Sequence, residues 1–406
     1  MRTTRSPIRL LTVSNFFDSH RGGVEIVAGR LARELSQRGF EVTWLATDTP
    51  RPVQSPQVRA VGVKAGNHAE RWFGVPFPLL GGSAIQHTVR EMRRADILLL
   101  HDSPYMTSLV AFLAAKWLRK PVAIVQHIGE VPFRNPTLRV LMALANRCLA
   151  YPLLAGADQV IFISEFVRAF FARVPFQRTP ALVFNGVDTD VFQPADDSSA
   201  ASAREKLGLP SGRPVALFVG RFVEKKGLHL LRAMAAARPD ITWALVGWGV
   251  LDPARWNLPN VRVYSGLSGD ALADMYRASD LLVLPSRGEG FPLVIQEALA
   301  CGLPVVCGAE TTLADPLAAS LMVGVPLAGV ADGAAADAFV RSVDAVLRRA
   351  TRRGEAQWDR YRFIRERYAW STAAEAYAGH LHGIAARSSF ETRRRVTSDQ
   401  PSMLSS

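Results

Sequence analysis

The segment Pro285–Val306 carries two carboxylates at a spacing that suits the binding of hydroxyl groups. Its sequence, PSRGEGFPLVIQEALACGLPVV, follows the strand-like run Leu281–Leu284 and has Glu289 in a glycine-rich loop. A helix is predicted to open near Pro292, which puts Glu297 about a turn and a half along it, so both carboxylates can face one pocket. A carboxylate accepts hydrogen bonds from vicinal hydroxyls, so the pair could bind a sugar ring and a ribose. Alternatively, Glu297 is a helix-surface charge and Glu289 stabilises a helix dipole.

A second candidate site is the turn Gly220–Gly227, GRFVEKKG, which suits an anion. It follows a strand-like run, Val215–Val219, and precedes a helix-like run around Leu228–Ala237. Backbone N–H groups and the positive end of a helix dipole meet at such a turn. Arg221 and Lys226 add fixed positive charges, so the turn could hold a diphosphate. The alternative is a solvated pair of cations at the start of a helix.

Several signatures of other enzyme classes are absent from the sequence. No Lys is followed by Ser or Thr, which excludes a Walker A loop, and no GxGxxG follows the first strand-like run. HExxH and GxSxG are missing as well. The sequence therefore does not support the common NTPase, dehydrogenase and hydrolase classes.

Strand-like and helix-like runs alternate along the chain in two series. The first comprises Ile8–Val13, Val24–Arg38, Phe40–Ala46, Ile97–Leu100, Thr107–Leu118, Val122–Gln126, Leu138–Leu154 and Val160–Ile163. The second comprises Val215–Val219, Leu228–Ala237, Thr242–Val246, Val261–Tyr264, Ala271–Arg277, Leu281–Leu284, Leu293–Ala300 and Pro304–Cys307. Such alternation predicts βαβ units and parallel sheets, so we expect two doubly wound α/β domains. Ligands of such sheets bind beyond the carboxyl ends of the strands.

The sequence also predicts where these units begin and end. The first domain spans residues 1–188 and the second 189–365, with a small-polar stretch at 195–203 that suits a linker. A terminal helix follows at 366–386, and the arginine-rich segment 387–406 is expected to be a disordered tail.

Composition restricts the class of protein further. The chain has 406 residues, of which 49% are hydrophobic and 21% charged, so it should fold into more than one globular domain. Three scattered cysteines and the lack of a signal-like or spanning segment fit a cytoplasmic protein. The net charge of +12 divides into +10 over residues 1–188, −4 over 189–340 and +6 over 341–406. Such a basic balance is compatible with nucleic acid, an anionic membrane surface, acidic small substrates, or merely arginines on solvated faces.

Four motifs in order resemble the retaining glycosyltransferase family 4, of GT-B fold. They are GGVE at Gly22–Glu25, NGVD at Asn185–Asp188, GRFVEKKG at Gly220–Gly227 and the E-x7-E pattern of Glu289 and Glu297. Together they cover most of the chain. The resemblance implies two Rossmann-like domains that face a cleft, with the C-terminal helix crossing back to the N-terminal domain. It also implies transfer of a sugar from a nucleotide-diphosphate donor with retained anomeric configuration, without a metal or other cofactor.

The resemblance also implies roles for particular residues. Arg221 and Lys226 would hold the donor diphosphate, and Glu297 would bind the ribose hydroxyls. Glu289 would contact the donor sugar, with His127 beside the transferred sugar. The other expected donor-binding residues are Gly22, Gly23, Gly220, Gly290, Phe291, Pro292 and Leu293. Glu289, His127, Arg221 and Lys226 are thus the expected catalytic residues, in line with the cationic stabilisation that an expelled diphosphate requires.

Three features lie outside this assignment. Asp188–Asp190 has a DxD spacing, which binds a divalent metal in a different glycosyltransferase fold, but here it overlaps NGVD and is better interpreted as a chain reversal and cap. His101 and Asp102 end another strand and rank below His127 as site residues. Trp248 stands where relatives usually have a small or acidic residue near the base, so the donor nucleotide is not assigned.

We therefore expect a glycosyltransferase that acts on a saccharide or lipid-linked acceptor in polysaccharide or lipopolysaccharide biosynthesis. One alternative is a GT-B nucleotide-sugar 2-epimerase, which uses the same donor pocket without an acceptor. Another is a basic nucleic-acid-binding protein, but the basic segments lack the interleaved aromatic residues of a stacking platform. Nucleic acid is therefore not an expected partner.

The N-terminal domain is expected to contact an anionic membrane. If the C-terminal helix crosses back, the +10 and +6 segments lie together. The basic residues expected on this face, near the weakly polar stretch 140–154, are Arg119, Lys120, Arg134, Arg139 and Arg147. Basic side chains beside apolar ones favour a peripheral position on the inner face of the cytoplasmic membrane.

Overall fold

Two parallel sheets, each flanked by helices, make up the protein. The computed structural model describes residues 6–20, 22–47, 56–66, 79–129, 136–349 and 354–398. The strands of the first sheet are β1 Ile8–Phe16, β2 Phe40–Thr47, β3 Arg59–Val63, β6 Ile97–His101, β7 Val122–Gln126, β8 Gln159–Phe162 and β9 Ala181–Leu182. Their order is β3-β2-β1-β6-β7-β8-β9, and all neighbours are parallel. A short antiparallel pair stands apart, β4 Ala65–Gly66 and β5 Leu79–Leu80.

The helices of the first domain lie between its successive strands along the chain. They are α1 Gly23–Gln37, α2 Gly82–Arg94, α3 Met106–Trp117, α4 Pro136–Ala145, α5 Tyr151–Gly156 and α6 Glu165–Phe170. A π-helical segment, Asn146–Ala150, joins α4 to α5. A single 3-10 turn, Asp18–His20, precedes α1.

The second sheet has the order β12-β11-β10-β13-β14-β15, again with parallel neighbours. Its strands are β10 Val215–Arg221, β11 Thr242–Trp248, β12 Val261–Tyr264, β13 Leu281–Leu284, β14 Val305–Gly308 and β15 Met322–Val325. The helices are α7 Asp197–Lys206, α8 Leu228–Ala237, α9 Gly269–Ala278, α10 Leu293–Ala300, α11 Ala309–Thr312, α12 Asp332–Arg349, α13 Glu355–Tyr368 and α14 Trp370–Ser398. Short 3-10 helices lie at Glu224–Lys226, Pro253–Trp256 and Ala319–Leu321. The predicted α/β class with two doubly wound domains is confirmed.

The stretch 195–203 is helical over most of its length, so its prediction as a linker is wrong. Helix α7 covers Asp197–Lys206, and the Asp196 carboxylate accepts a hydrogen bond from the Ser199 N–H at 2.7 Å. That bond satisfies one of the amide groups that a helix start leaves without a partner. The small residues that suggested a linker include alanines, which favour helix, and Ala200 and Ala203 are buried.

The C-terminal helix returns to the first domain. Helices α13 and α14 are separated at Ala369, which bridges to Val187 near the domain junction. Along α14, Trp370, Ala374 and Tyr377 recur at helical spacing and are buried in the core of the first domain. The helix continues to Ser398, beyond residue 386, where the sequence predicts a disordered tail to begin. None of the helices within the described ranges is long and apolar enough to cross a bilayer.

A buried carboxylate ties the loop after β14 to this junction. Asp315 is 1% exposed, and its Oδ2 accepts hydrogen bonds from the Arg367 guanidinium and the Tyr368 hydroxyl. Burial favours the neutral acid, but the bonds from Arg367 and Tyr368 outweigh it and lower the pKa of Asp315. The neighbouring Ala314 carbonyl accepts the N–H of Glu165 in the first domain at 2.8 Å. This loop therefore contacts both domains.

Substituting Asp315→Ala should lower the free energy of unfolding by about 2 to 3 kcal/mol, because Arg367 and Tyr368 lose their shared acceptor. Since folding depresses the pKa of Asp315, its contribution is present above the ordinary carboxyl pKa and is lost as the pH falls through the folded-state value. Urea unfolding should show a smaller loss for Asp240→Ala, whose carboxylate pairs with Arg238 but has a 60% exposed side chain. Equal losses in the two variants would contradict a structural role for the Asp315 pair.

Candidate active site

Two loops meet at the carboxyl ends of β10 and β13. These strands are direct neighbours in the second sheet, so the loops that follow them lie side by side. Gly227 ends the first loop with φ 73°, and a Cβ at this position would lie 2.2 Å from the Pro285 carbonyl oxygen of the second. The Arg287 N–H also donates to the Lys225 carbonyl at 3.1 Å. Glycine is therefore required at Gly227 both for its conformation and for this close approach.

The two loops are joined by an ion pair between Lys226 and Glu289. The Lys226 Nζ lies 2.8 Å from the Glu289 Oε1, and both side chains are 13% exposed. Burial favours neutral Glu289, but the charges of Lys226, Lys225 and Arg221 together outweigh it and lower its pKa. Burial lowers the pKa of Lys225, and the charge of Glu289 opposes that shift. Three basic groups thus act on one ionised carboxylate, which leaves a positive surface suited to a diphosphate.

Glu297 has a different environment from Glu289. It lies on α10, and its Oε2 accepts a hydrogen bond from the Tyr276 hydroxyl of α9 at 2.7 Å. Burial raises the pKa of Glu297 to about 7, although the hydrogen bond from Tyr276 favours the charged form. The two carboxylates of the E-x7-E pattern therefore differ, since one is held ionised by cations and the other titrates near neutrality.

The loop after β13 also reaches the first domain. A Cβ on Gly290 would lie 2.7 Å from the His127 carbonyl oxygen at the end of β7. Arg221 of the second domain also acts on Tyr105, which lies in the loop after β6 of the first domain. Burial raises the pKa of Tyr105, and the charge of Arg221 opposes that shift. The structure thus brings His127 and Gly290, both predicted from the sequence, to one place where the two domains face each other.

A second histidine contacts His127. The His101 Nδ1 lies 3.2 Å from the His127 Nε2, and the rings stack with centroids 5.4 Å apart. Burial lowers the pKa of His101 to about 3, and burial with the effect of His101 lowers the pKa of His127 well below its ordinary value. Both rings are therefore neutral at pH 7, so one nitrogen of the pair donates and the other accepts. The tautomer of His101 decides whether the His127 Nδ1 carries a proton.

Asp102 holds the backbone of the same histidine. It has φ 65°, and its Oδ1 accepts the N–H groups of His127 at 2.6 Å and Ile128 at 3.2 Å. Burial, with a smaller effect of Glu25, raises the pKa of Asp102 to about 7. His101 and Asp102 rank low by sequence, yet they position the ring and the backbone of His127. The signal for them is that they lie at the carboxyl end of β6, the direct neighbour of β7.

The predicted glycines of the first loop differ in their surroundings. Gly22 caps α1, and a Cβ there would lie 1.9 Å from the Oε2 of Glu25, whose carboxylate folds back over the helix start. Such a return from the third helical residue is typical of a capping box. Gly23 has no atom within 4 Å of a Cβ placed on it. A Cβ at Gly22 would displace the flexible end of the Glu25 side chain from the helix start, whereas a Cβ at Gly23 would meet open space.

The remaining predicted residues shape the second domain's side of the site. Phe291 is 2% exposed and packs edge-on to Phe184 and Tyr368, so only its backbone can face a ligand. Pro292 caps α10, and Leu293 packs against the core of the first domain. The Gly220 carbonyl oxygen would lie 1.9 Å from a Cβ on Gly247, so the ends of β10 and β11 approach closely.

Trp248 and His20 form a further contact between the domains. Trp248 pairs in register with Arg221 at the end of the second sheet and is 42% exposed. Its ring lies 6.5 Å from the ring of His20 at an interplanar angle of 89°. Nothing in the sequence points to His20, since a lone histidine in a polar loop carries no spacing signal.

Asp188 lies in a turn at the domain junction. Its Oδ1 accepts the Asp190 N–H at 3.3 Å, and its Oδ2 lies 3.1 Å from the Arg30 Nη1. Within the described ranges no group of three His, Cys, Asp or Glu side chains is arranged to hold a metal ion. The hydrogen bond from the Asp190 N–H to the Asp188 carboxylate closes a turn at the DxD spacing.

Both halves of the chain match models of known protein families. The family models "Glycosyltransferase Family 4" and "Glycosyl transferases group 1" match residues 21–191 and 199–353. The D-inositol 3-phosphate glycosyltransferase 2 of Catenulispora acidiphila is 31% identical over an alignment of 349 residues, which covers 75% of this chain and 78% of that protein.

Solved structures share the fold. Sucrose-phosphate synthase from Thermosynechococcus elongatus has a TM-score of 0.72 at 21% identity and covers 94% of this chain and 100% of its own. Anabaena HepE in complex with UDP-glucose has a TM-score of 0.68 at 16% identity, over 93% and 100% of the two chains. With the two facing sheets and the returning C-terminal helix, these findings show that the chain belongs to glycosyltransferase family 4 and is a glycosyltransferase of the GT-B fold.

Proposed function

We propose that the protein transfers a sugar from a nucleotide-diphosphate donor to a saccharide or lipid-linked acceptor, with retained anomeric configuration and without a metal. The observation that carries this proposal is the cluster of Arg221, Lys225 and Lys226 around Glu289, next to His127 of the first domain. Such a cluster gives a nucleotide diphosphate a preorganised cationic site at the place where the domains face each other.

Each group has a chemical task in this proposal. Arg221 and Lys226 offset the negative charge that develops on the leaving diphosphate. Glu289, held ionised by its ion pair, accepts hydrogen bonds from hydroxyls of the donor sugar. Glu297 accepts hydrogen bonds from the ribose hydroxyls, and neutral His127 lies beside the transferred sugar. Anabaena HepE was solved with UDP-glucose bound, which supports a nucleotide sugar as donor.

The first experiment is a thermal-shift screen with UDP, GDP, ADP and TDP. A nucleotide that binds the native state raises the unfolding temperature by mass action, so the correct base should stand out. The matching nucleotide sugars are then incubated with and without saccharide acceptors, with and without EDTA, and the products are assigned by NMR. Retained configuration, with unchanged rate in EDTA, supports the proposal. A 2-epimer formed without acceptor would instead identify a nucleotide-sugar epimerase.

Binding of the nucleoside diphosphate should strengthen about tenfold between about pH 6 and pH 8. Burial raises the pKa of Glu297 to about 7, and only the ionised carboxylate accepts from two ribose hydroxyls, so affinity rises with pH through that value. Calorimetry with the wild type and Glu297→Gln measures the effect. The ligand's phosphate also titrates, with a pKa of about 6, but this effect is common to both proteins and cancels in the ratio of their affinities. The same pH dependence in Glu297→Gln would contradict the assigned role of Glu297.

We further propose that the first domain rests on an anionic lipid surface at the inner face of the cytoplasmic membrane. Among the described residues, the large exposed apolar side chains of helices α3 and α4 are Leu113, Trp117, Val140, Leu141 and Leu144. Arg93 lies 5.6 Å from the Trp117 ring. Arg134 and the side chain of Arg139, both predicted for this face, lie outside the described residues. The surplus of basic residues in this domain complements anionic lipid.

Vesicle co-sedimentation tests this surface. The wild type should bind phosphatidylglycerol-containing vesicles at low salt, and Trp117→Ser should weaken binding because the side chain is 67% exposed on α3. Trp358→Ser is the matched control, since Trp358 is 45% exposed on α13 of the second domain. No preference for anionic over neutral vesicles would contradict this proposal.

A further inference from the structure

A buried tyrosine on α9 contacts the carboxylate expected to bind the ribose. Tyr276 is fully buried, and its hydroxyl donates to the Glu297 Oε2 at 2.7 Å. Its ring packs edge-on against Phe192, with centroids 5.8 Å apart and an interplanar angle of 78°. The packed ring fixes the position of the hydroxyl, and the hydroxyl in turn fixes one oxygen of the carboxylate.

The Tyr276 hydroxyl stays protonated over the physiological pH range. Burial and the charge of Glu297 raise the pKa of Tyr276 well above its ordinary value, so the hydroxyl remains a donor. A glutamate side chain has several rotatable bonds, and its carboxylate can otherwise turn toward whichever donors are present. One donor on Oε2 leaves the other acceptor positions of the carboxylate for a ligand.

We propose that Tyr276 is a positioning residue, which orients the Glu297 carboxylate so that it discriminates a ribose from a 2′-deoxyribose. This inference rests on the proposed function, because it takes the ligand at Glu297 to be the ribose of the donor. A fixed carboxylate is left with an unsatisfied acceptor when the 2′-hydroxyl is missing, and that absence weakens binding. A carboxylate that is free to turn adapts to the remaining hydroxyl and discriminates less.

The test compares affinities for a ribonucleoside diphosphate and its 2′-deoxy analogue, with the base selected by the thermal-shift screen. The wild type should prefer the ribonucleotide by about tenfold, which corresponds to about 1.4 kcal/mol. Tyr276→Phe should weaken the ribonucleotide about five- to tenfold and the deoxynucleotide less than about twofold. Tyr264→Phe is the matched control, because its hydroxyl donates to the Leu207 carbonyl at 2.9 Å and contacts no carboxylate. It should leave the ratio unchanged.

Coupling between the two residues separates positioning from a general loss of structure. Glu297→Gln should remove most of the discrimination, and adding Tyr276→Phe to it should change the ratio little further. Glu297→Asp leaves the tyrosine in the core but withdraws the carboxylate from it, so it serves if Tyr276→Phe folds poorly. It too should lose discrimination.

The outcomes distinguish this inference from the proposed function. If no nucleoside diphosphate binds the wild type, the proposed function fails and this inference fails with it. If the wild type binds and discriminates but Tyr276→Phe keeps the wild-type ratio, only the positioning role is overturned. A wild-type ratio in Glu297→Asp would overturn the ribose contact of Glu297 together with the positioning role. An equal loss of affinity for both nucleotides in Tyr276→Phe would likewise overturn it, because it would indicate a structural role alone.

Discussion

The substitution Lys226→Ala should lower kcat/KM for sugar transfer by about 100-fold or more while the fold persists. The Lys226 side chain is 13% exposed and its Nζ lies 2.8 Å from the Glu289 Oε1, so it is a fixed and largely desolvated charge. Such a charge stabilises a leaving diphosphate more than a solvated one does. Its removal also takes away the ion-pair partner of Glu289, so a buried carboxylate that keeps Arg221 and Lys225 but loses its nearest cation repels the donor phosphates more strongly.

Steady-state kinetics with the donor found by screening measure this effect. Lys206→Ala is the matched control, because the Lys206 side chain is 68% exposed on α7 and its Nζ lies 4.0 Å from the Asp274 Oδ2, which makes a weak, solvated ion pair. It should transfer sugar at the wild-type rate. Lys226→Arg keeps the charge and should recover part of the activity. Activity within a few-fold of wild type in Lys226→Ala would show that the cluster does not serve the leaving group.

The substitution Glu297→Ala should likewise lower kcat/KM by about 100-fold or more. A hydrogen bond to a charged group contributes about 1.5 to 3 kcal/mol, so losing two ribose hydroxyl contacts removes about 3 kcal/mol or more, with each 1.4 kcal/mol worth a factor of ten. The same change leaves the Tyr276 hydroxyl without its acceptor, which adds a cost in stability.

Two measurements interpret the Glu297→Ala result. Thermal unfolding reports how much of the loss comes from the fold, and nucleotide binding reports how much comes from the donor. Glu205→Ala, an exposed glutamate on α7, should change neither. If both Lys226→Ala and Glu297→Ala transferred sugar at near-wild-type rates, the assignment of the donor site would be refuted.

The expected elements match the structure best where apolar runs are short and bounded by turn residues. Strands Val122–Gln126, Val261–Tyr264 and Leu281–Leu284 have the predicted bounds, because each run is flanked on both sides by polar residues or proline. The sequence pattern does not predict helix α2, although Ala84 and Met92 lie at helical spacing on its buried face. The helix has so many polar residues, some of them on the buried face, that its apolar periodicity is weak.

Weakly apolar edge strands are not predicted from the sequence for a related reason. Strand β15, Met322–Val325, contains a glycine, and two of its four residues are exposed. Strand β3, Arg59–Val63, lies at the other sheet's edge and has one buried residue. Edge strands are recognised by pairing with a neighbour rather than by their own apolar pattern, and pairing is a property of the folded sheet.

The sequence by itself determined the two α/β domains, the loops that carry the site and the identity of their charged groups. These features are local, since the alternation of apolar runs and the order of Arg221, Lys226, Glu289 and Glu297 can be found along the chain. The motifs were enough to suggest the family, which the comparisons confirmed.

Only the tertiary structure decided which groups contact each other and how they ionise. The Lys226–Glu289 pair depends on β10 and β13 being neighbours, and the His101–His127 pair depends on the same relation between β6 and β7. Tyr276 reaches Glu297 because α9 and α10 pack together. Strand order and helix packing join residues far apart in the chain, and burial then shifts their pKa values, so neither can be derived from the spacing of residues alone.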